Sequence, residues 1–411
     1  MTRALPLLLL CLAACSPGTT ATSGGAAAGS GGPPAAPSPA KGAPSASAPA
    51  SPAAAPAPCL PADPGADAGA LAAAATRARN AGRPQEALAC ADEALERDPG
   101  AAAPLRERAV ALADLDRRDD ARAAISRALA HDPDDPQTLL VAADLHVSRF
   151  GDRDSIQAGR DLALRGAARA ASGPRADPTL VPRLLTLAGM AENDLGRSRE
   201  ALEHLEEALR RDPRDADAHY ERGVALFELC RFAPARRAFE RVLRHSPRDA
   251  WALHHLGLLA ERAGDERRAR ELLARASRLA PRDLGPAVDM SRSAFDAEVR
   301  KAISELPPAE REALAGVPVE VEEIPAYGDL TAVDPPLSPS ILGLYRGPSL
   351  GEPCPAGEGP GCRSIVLYRR NLARFARDPA QLREQVRVTL AHELGHLHGE
   401  SDEALRARGL E

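Results

Sequence analysis

The stretch Thr389-Leu-Ala-His-Glu-Leu-Gly-His-Leu-His-Gly-Glu-Ser-Asp402 places His392 and His396 four residues apart, with Glu393 beside the first. Residues four apart on a helix share one face, one turn apart, so both imidazoles can reach a single metal ion. Gly399 and Asp402 complete an H-E-x-x-H-x-x-G-x-x-D pattern. Zinc takes neutral imidazole nitrogen and carboxylate oxygen in a tetrahedral site, and a reactive site keeps three protein ligands and one water. The metal lowers the pKa of that water toward about 7. Glu393, about 100° round the helix from His392, can take the water's proton and pass it to a leaving amine. Gly399 can adopt positive φ and end the helix, after which the chain turns back. Asp402, six residues after His396, is then the natural third ligand. His398 lies about 200° round the helix from His396. Glu400 and Glu403 stay open as ligands but fit no common spacing. The residue types imply a zinc hydrolase.

The helix that carries this stretch has its own start signal. Asp378-Pro379 supplies an N-cap followed by proline at the first helical position. Leu382, Val386, Leu390 and Leu394 form an i,i+4 ladder for a core, and Val388, His392 and His396 form another about 200° away. One seam is apolar and the other reactive, which suits a helix packed on a sheet. Upstream, Ser291 to Leu306 reads as a helix stopped by Pro307-Pro308, with Phe295, Val299, Ile303 and Leu306 on one face. Val317 to Ile324 alternates as a half-buried strand, and Ile341 to Tyr345 and Ser364 to Tyr368 read as two more. Between these last two lies a Gly/Pro-rich loop in which Cys354 and Cys362 could form a disulfide.

Five segments of this region carry a family resemblance: Phe295-Asp296-Ala297-Glu298, Glu305-Leu306-Pro307-Pro308, Ile341 to Gly347, Ile365 to Arg370, and Gln385 to Thr389 leading into the histidines. Together they resemble the small bacterial zincin-like metallopeptidase family, over about Ser291 to Ala407. The resemblance implies a compact α/β fold with a sheet edge beside the zinc helix. It also implies Zn2+ bound at His392, His396 and Asp402, and a base at Glu393. The family often has a second histidine directly after the motif, where this chain has Leu397, and the cysteine loop looks like an insertion. A zincin cleft typically binds extended peptide by strand addition, for which Ile341 to Tyr345 is the candidate edge. Tyr345 and Tyr368 are candidates to assist an oxyanion, though tyrosines on a small sheet are more often simply half-buried.

Further upstream, prolines recur at Pro99, Pro133, Pro178, Pro213, Pro247 and Pro281, with gaps of 34, 45, 35, 34 and 34 residues. A 34-residue period marks paired helices stacked in a solenoid. Small residues fall where helices must approach: Gly189, Gly223 and Gly257 at one position, Ala87, Ala121, Ala201, Ala235 and Ala269 at a second. A third position holds Ala94, Ala128, Ala208 and Ala276, and Leu205, Phe239 and Leu273 fill the larger hole between. The pattern resembles the tetratricopeptide repeat, as six units over about Ala68 to Leu284. The third unit, about Pro136 to Leu180, has roughly eleven extra residues and lacks the alanine register, so a longer or distorted helix pair is expected there. Such arrays present a concave face to protein partners. The alternative is a spacer and packing platform.

The chain begins Met-Thr-Arg, followed by a short apolar run and Leu12-Ala13-Ala14-Cys15. This reads as a secretory signal peptide. Its ending resembles a bacterial lipobox, which implies cleavage before Cys15 and lipid attachment there. With Ser16 next and no acidic residue, the expected location is the cell envelope, anchored in the outer membrane and facing the periplasm or the exterior. Residues 15–66 are nearly all Ala, Pro, Gly, Ser and Thr, a disordered tether of on the order of 40 Å. Cys90 and Cys230, within the repeats, read as small buried apolar residues. The net charge of -6 on 411 residues, with Arg alternating with Asp and Glu, gives solvated helix faces and no nucleic-acid footprint.

The expected organisation is multidomain: signal peptide 1–14, tether 15–66, all-α tetratricopeptide-repeat solenoid 67–285, and a small α/β (α+β) zincin-like domain 286–411. The leading expectation is a lipid-anchored zinc endopeptidase cutting a peptide or protein substrate, with the repeats recruiting that substrate or a partner. The alternatives are a non-enzymatic envelope scaffold, and an amidase acting on cell-wall peptides through the same site.

Overall fold

A computed structural model describes Cys59 and residues 65–172, 175–354 and 359–410. Cys15, the segment read as a signal peptide and nearly all of the segment read as a tether lie outside the described residues. Among those residues, six antiparallel helix pairs run from Ala68–Asn80 and Pro84–Arg97 to Ala250–Arg262 and Glu266–Leu279. The first helices of successive pairs touch one another and line one wall of the stack. No helix among the described residues is long and apolar enough to cross a membrane.

The small-residue register explains how each pair closes. A Cβ on Gly189 would stand 2.5 Å from Leu205, on Gly223 2.6 Å from Phe239, and on Gly257 2.7 Å from Leu273. Each glycine therefore admits the large side chain of its own pair's second helix. The alanines at the other two positions are buried. Gly223→Ala is expected to cost about 1–3 kcal/mol, because the added methyl must displace the fully buried Phe239 ring. A urea titration of the full chain measures it, and an unchanged midpoint would show that the ring moves freely.

The third pair is the irregular one. Its first helix, Pro136–Leu145, continues through a wider helical turn, His146–Phe150, before Gly151 reverses the chain at φ +76°. Its second helix, Arg153–Ala171, has 19 residues. Glycines there take over the close-approach role, since a Cβ on Gly159 would meet Val147 at 2.6 Å and one on Gly166 would meet Leu184 at 2.7 Å. One sequence reading is corrected at the start of the array. Cys90 is buried, but as the disulfide partner of Cys59, which ties the segment before the first helix onto the first pair. A period-based reading sees only the apolar slot, because the partner lies outside the repeats. Cys230 is a free, buried thiol.

After the last pair the chain forms a helix at Arg292–Glu305, capped by the Ser291 side chain, and then a three-stranded sheet. The strands are β1 (Val319–Glu322), β2 (Gly343–Arg346) and β3 (Ser364–Tyr368), in the order β1-β3-β2. β1 runs parallel to β3, and β2 antiparallel to it, with Gly343 opposite Leu367 and Tyr345 opposite Ile365. β2 starts two residues later than the sequence reading of Ile341 to Tyr345, and the Ile341 carbonyl, turned away from β3, accepts from the Asn371 amide at 2.7 Å.

The sheet separates two packed layers. Ile365 and Leu367 face Leu382, Val386, Leu390 and Leu394, the apolar ladder of the long helix Pro379–Leu397. Val366 and Tyr368 face the opposite way, where Leu330, Leu337 and Ile341 pack with Cys230 of the solenoid. The sheet is thus held between the long helix and the end of the helix stack.

Candidate metal centre

The helix Pro379–Leu397 begins as its sequence requires. The Asp378 carboxylate accepts from the backbone N–H groups of Ala380 and Gln381, and Pro379 occupies the first turn. It ends at Gly399, which adopts φ +85°. The chain then reverses into the short helix Asp402–Ala407, whose N-cap is Ser401. The reversal depends on Gly395, because a Cβ there would collide with Leu405 of the short helix. With that methyl absent, Leu405 seats fully buried and the short helix brings Asp402 back to the histidines.

Three donor atoms converge. His392 Nε2 and His396 Nε2 are 3.0 Å apart, and Asp402 Oδ1 lies 3.6 Å from the first and 3.2 Å from the second. Donors bound at 2.0–2.2 Å to a tetrahedral zinc stand roughly 3.3–3.5 Å from one another, so the spacing fits. The other ring nitrogens are occupied. His392 Nδ1 donates to the Leu410 carbonyl at 2.7 Å, and His396 Nδ1 donates to the Glu400 carbonyl at 3.0 Å. Donation from Nδ1 places the proton there and leaves each Nε2 with a lone pair toward the shared point. Two lone pairs and a carboxylate converging in a largely buried pocket repel one another unless a cation joins them. The donor set therefore fits a divalent metal.

The other possible third ligands are turned elsewhere. His398 Nε2 contacts Glu310 at 3.0 Å, Glu400 pairs with Arg408, and Glu403 is exposed.

Glu393 lies beside the donors and is 1 % exposed. Its Oε1 has no hydrogen-bond partner among the described residues. Burial pushes the carboxyl up to about 7, against the pull of His396, His392 and the Tyr345 backbone N–H. A carboxylate near this value can take and return protons at neutral pH. For His396, burial acts to lower the pKa, but the bonded Asp402 carboxylate and nearby Glu393 outweigh it and hold the imidazole above its ordinary value.

The sheet edge completes the site. The Tyr368 N–H donates to the Leu342 carbonyl at 2.9 Å, so alternate residues of β2 turn their main-chain groups toward β3. Gly343 and Tyr345 turn theirs outward, which lets the Tyr345 N–H meet Glu393. A Cβ on Gly343 would stand 2.7 Å from Thr389 and 2.8 Å from Glu393 Oε1. Only glycine lets β2 lie this close to the helix. Neither tyrosine hydroxyl serves the site here: Tyr345 donates to the Pro348 carbonyl, and Tyr368 is fully buried on the solenoid side of the sheet.

Sequence reasoning missed the two carbonyls that orient the imidazoles, since a main-chain acceptor leaves no residue signature. It also missed the steric roles of Gly343 and Gly395. The cysteine loop is tied to the same region. A disulfide joins Cys354 to Cys362, and the Leu350 N–H donates to the Leu397 carbonyl at 2.8 Å, at the end of the histidine-bearing helix.

Comparison with known proteins agrees with this division of the chain. Residues 314–410 match a family model described as zincin-like metallopeptidase, a family that implies a metal. Residues 72–148 and 186–233 match the tetratricopeptide repeat. The gap between the two repeat matches includes the 19-residue helix of the irregular third pair. No curated protein matches the chain. Solved structures similar to it include pilF of Pseudomonas aeruginosa, 19% identical, over 56% of this chain and 97% of that one, with a TM-score of 0.44. PilW, described as a widely conserved type IV pilus biogenesis factor, is 17% identical over 56% and 97%, with a TM-score of 0.46. YrrB, described as a TPR protein with an unusual peptide-binding site, is 19% identical over 47% and 95%, with a TM-score of 0.35. The chain thus joins a helical region that matches the tetratricopeptide repeat to a C-terminal region that matches a zincin-like metallopeptidase domain.

Proposed function

We propose that the chain is a zinc-dependent endopeptidase, lipid-anchored through Cys15 in the cell envelope, whose repeats recruit a substrate or partner protein. One observation carries the catalytic reading. His392 Nε2, His396 Nε2 and Asp402 Oδ1 converge at metal-ligand spacing beside a buried carboxylate, Glu393, that is not one of the three. A purely structural zinc has no need of that fourth group. Bound zinc would supply an activated water and polarise the peptide carbonyl.

The chain's own residues do the rest. Glu393 accepts the water's proton and returns it to the amine as the peptide bond breaks. Gly343, its main-chain groups turned away from β3, offers an extended peptide a strand to pair with. The Tyr345 N–H fixes the Glu393 carboxylate next to that strand. Lipid attachment at Cys15 rests on the Leu-Ala-Ala-Cys ending, and recruitment rests on the repeats. Residues 15–66 would let the folded part work away from the membrane surface.

The test is cleavage of a peptide library by the zinc-loaded full chain, with and without chelator. Chelator-sensitive cleavage is expected, and its absence on every peptide overturns the reading. Zinc retention should also fall as the pH drops. Metal binding requires neutral His396, whose raised pKa keeps a proton on it to higher pH than a free imidazole would. Loss should therefore begin nearer neutrality than for an unperturbed histidine, at about tenfold in apparent affinity per pH unit for each proton displaced. Zinc content after dialysis at graded pH measures it, and a flat profile from pH 8 to about 5 would contradict the assignment.

A further inference from the structure

The helix stack and the metallopeptidase domain meet along the turns that join the helices of the later pairs. Phe232 and Cys230, at one such turn, pack against Leu330 and Leu337. Beside this apolar contact, Glu261 of the helix Ala250–Arg262 is 8 % exposed and faces two guanidinium groups. It accepts from Arg370 Nη1 at 2.9 Å and from Arg374 Nη1 at 3.0 Å. Both arginines belong to the short helix Arg369–Phe375 that follows β3.

The contacts continue inward. Arg374 Nη2 donates to Asn371 Oδ1 at 2.7 Å. Asn371 is itself buried, and its Nδ2 donates to the carbonyls of Pro339 at 3.1 Å and Ile341 at 2.7 Å. With its oxygen held by Arg374 and its NH2 held by the two carbonyls, the amide is fixed from both sides, and Arg374 is the link between it and Glu261. The two carbonyls precede β2 directly. β2 pairs with β3 on one side only, so its approach to Thr389 and Glu393 depends on how its entry is anchored.

We propose that Glu261 of the solenoid is a positioning residue for the metal site. Through Arg374 and Asn371 it fixes where the edge strand lies against Glu393, so the repeats shape the cleft to which they bring substrate. The catalytic consequence rests on the peptidase reading, whereas the mechanical relay does not.

Hydrogen exchange on the zinc-loaded full chain tests the relay. Glu261→Gln keeps the shape and removes the charge. It should speed amide exchange over residues 339–346 by at least about tenfold, the loss of roughly one charged hydrogen bond, while helix 379–397 keeps its rate. KM for a cleaved peptide should rise with zinc content unchanged, a split that simple loss of stability would not give. Arg374→Lys, which keeps a charge for Glu261 but cannot fork to Asn371, should loosen the same segment, and decides the matter should Glu261→Gln not fold. Glu266→Gln is the control. Among the described residues the Glu266 carboxylate accepts from Arg370, which Glu323 also holds at 2.8 Å, so exchange over 339–346 should stay at the wild-type rate. Unchanged exchange over 339–346 in the Glu261 and Arg374 variants overturns the proposal, as does equal acceleration in the Glu266 variant. A wild-type chain that cleaves no peptide would sink the peptidase reading while the exchange rates still judge the relay.

Discussion

Glu393→Gln is expected to lower peptide hydrolysis by at least about a hundredfold while zinc stays bound. The substitution keeps the size and the hydrogen-bonding outline of the side chain and removes only its ability to accept a proton. Glu393 is not among the three converging donors, so the metal keeps its ligands. Glu393 is almost fully buried, burial has brought its carboxyl up to about 7, and the Tyr345 N–H holds it at the sheet edge. The decisive measurement pairs kcat/KM on a cleaved peptide with zinc content on the same preparation. Wild-type activity in a zinc-replete variant would remove Glu393 from the proton-transfer step.

Asp402→Ala is expected to weaken zinc binding by more than the 10–100-fold that loss of a supporting partner typically costs, since here a donor itself is removed. The fold should survive the change. Asp402 sits in the first turn of its short helix, whose cap is the Ser401 side chain, and Leu405 would still seat against Gly395. Two imidazoles alone leave zinc short of the three protein ligands usual in a reactive site. Competition against a chelator of known affinity measures the loss. Wild-type retention in the variant would show that the third ligand is a different group, with Glu400 and Glu403 as the nearest carboxylates in sequence.

Much of this site is legible in residue order because its parts are local. The i,i+4 spacing places His392 and His396 on one face of any helix, Asp378-Pro379 starts that helix, and Gly399 stops it. The 34-residue period is equally local. Each of the last three repeats closes on itself through a glycine and a large side chain sixteen residues later, and the structure pairs Gly189 with Leu205, Gly223 with Phe239 and Gly257 with Leu273. Where the period breaks, the sequence foretells an irregular pair but not its form, because the compensating glycines, Gly159 and Gly166, stand outside the register.

Sequence by itself determined the elements: a stack of helix pairs, a few short strands, and a helix with an apolar seam and a histidine seam. These follow from backbone periodicity and from caps that act within a few residues. Tertiary structure alone decided that the carbonyls of Glu400 and Leu410 hold the imidazoles in one tautomer, that Gly343 lets the sheet edge touch Glu393, that Cys90 bonds to Cys59, and that Glu261 reaches the edge strand through Arg374 and Asn371. Most of these are contacts through space between groups far apart along the chain, and several are made by main-chain atoms that every residue carries alike.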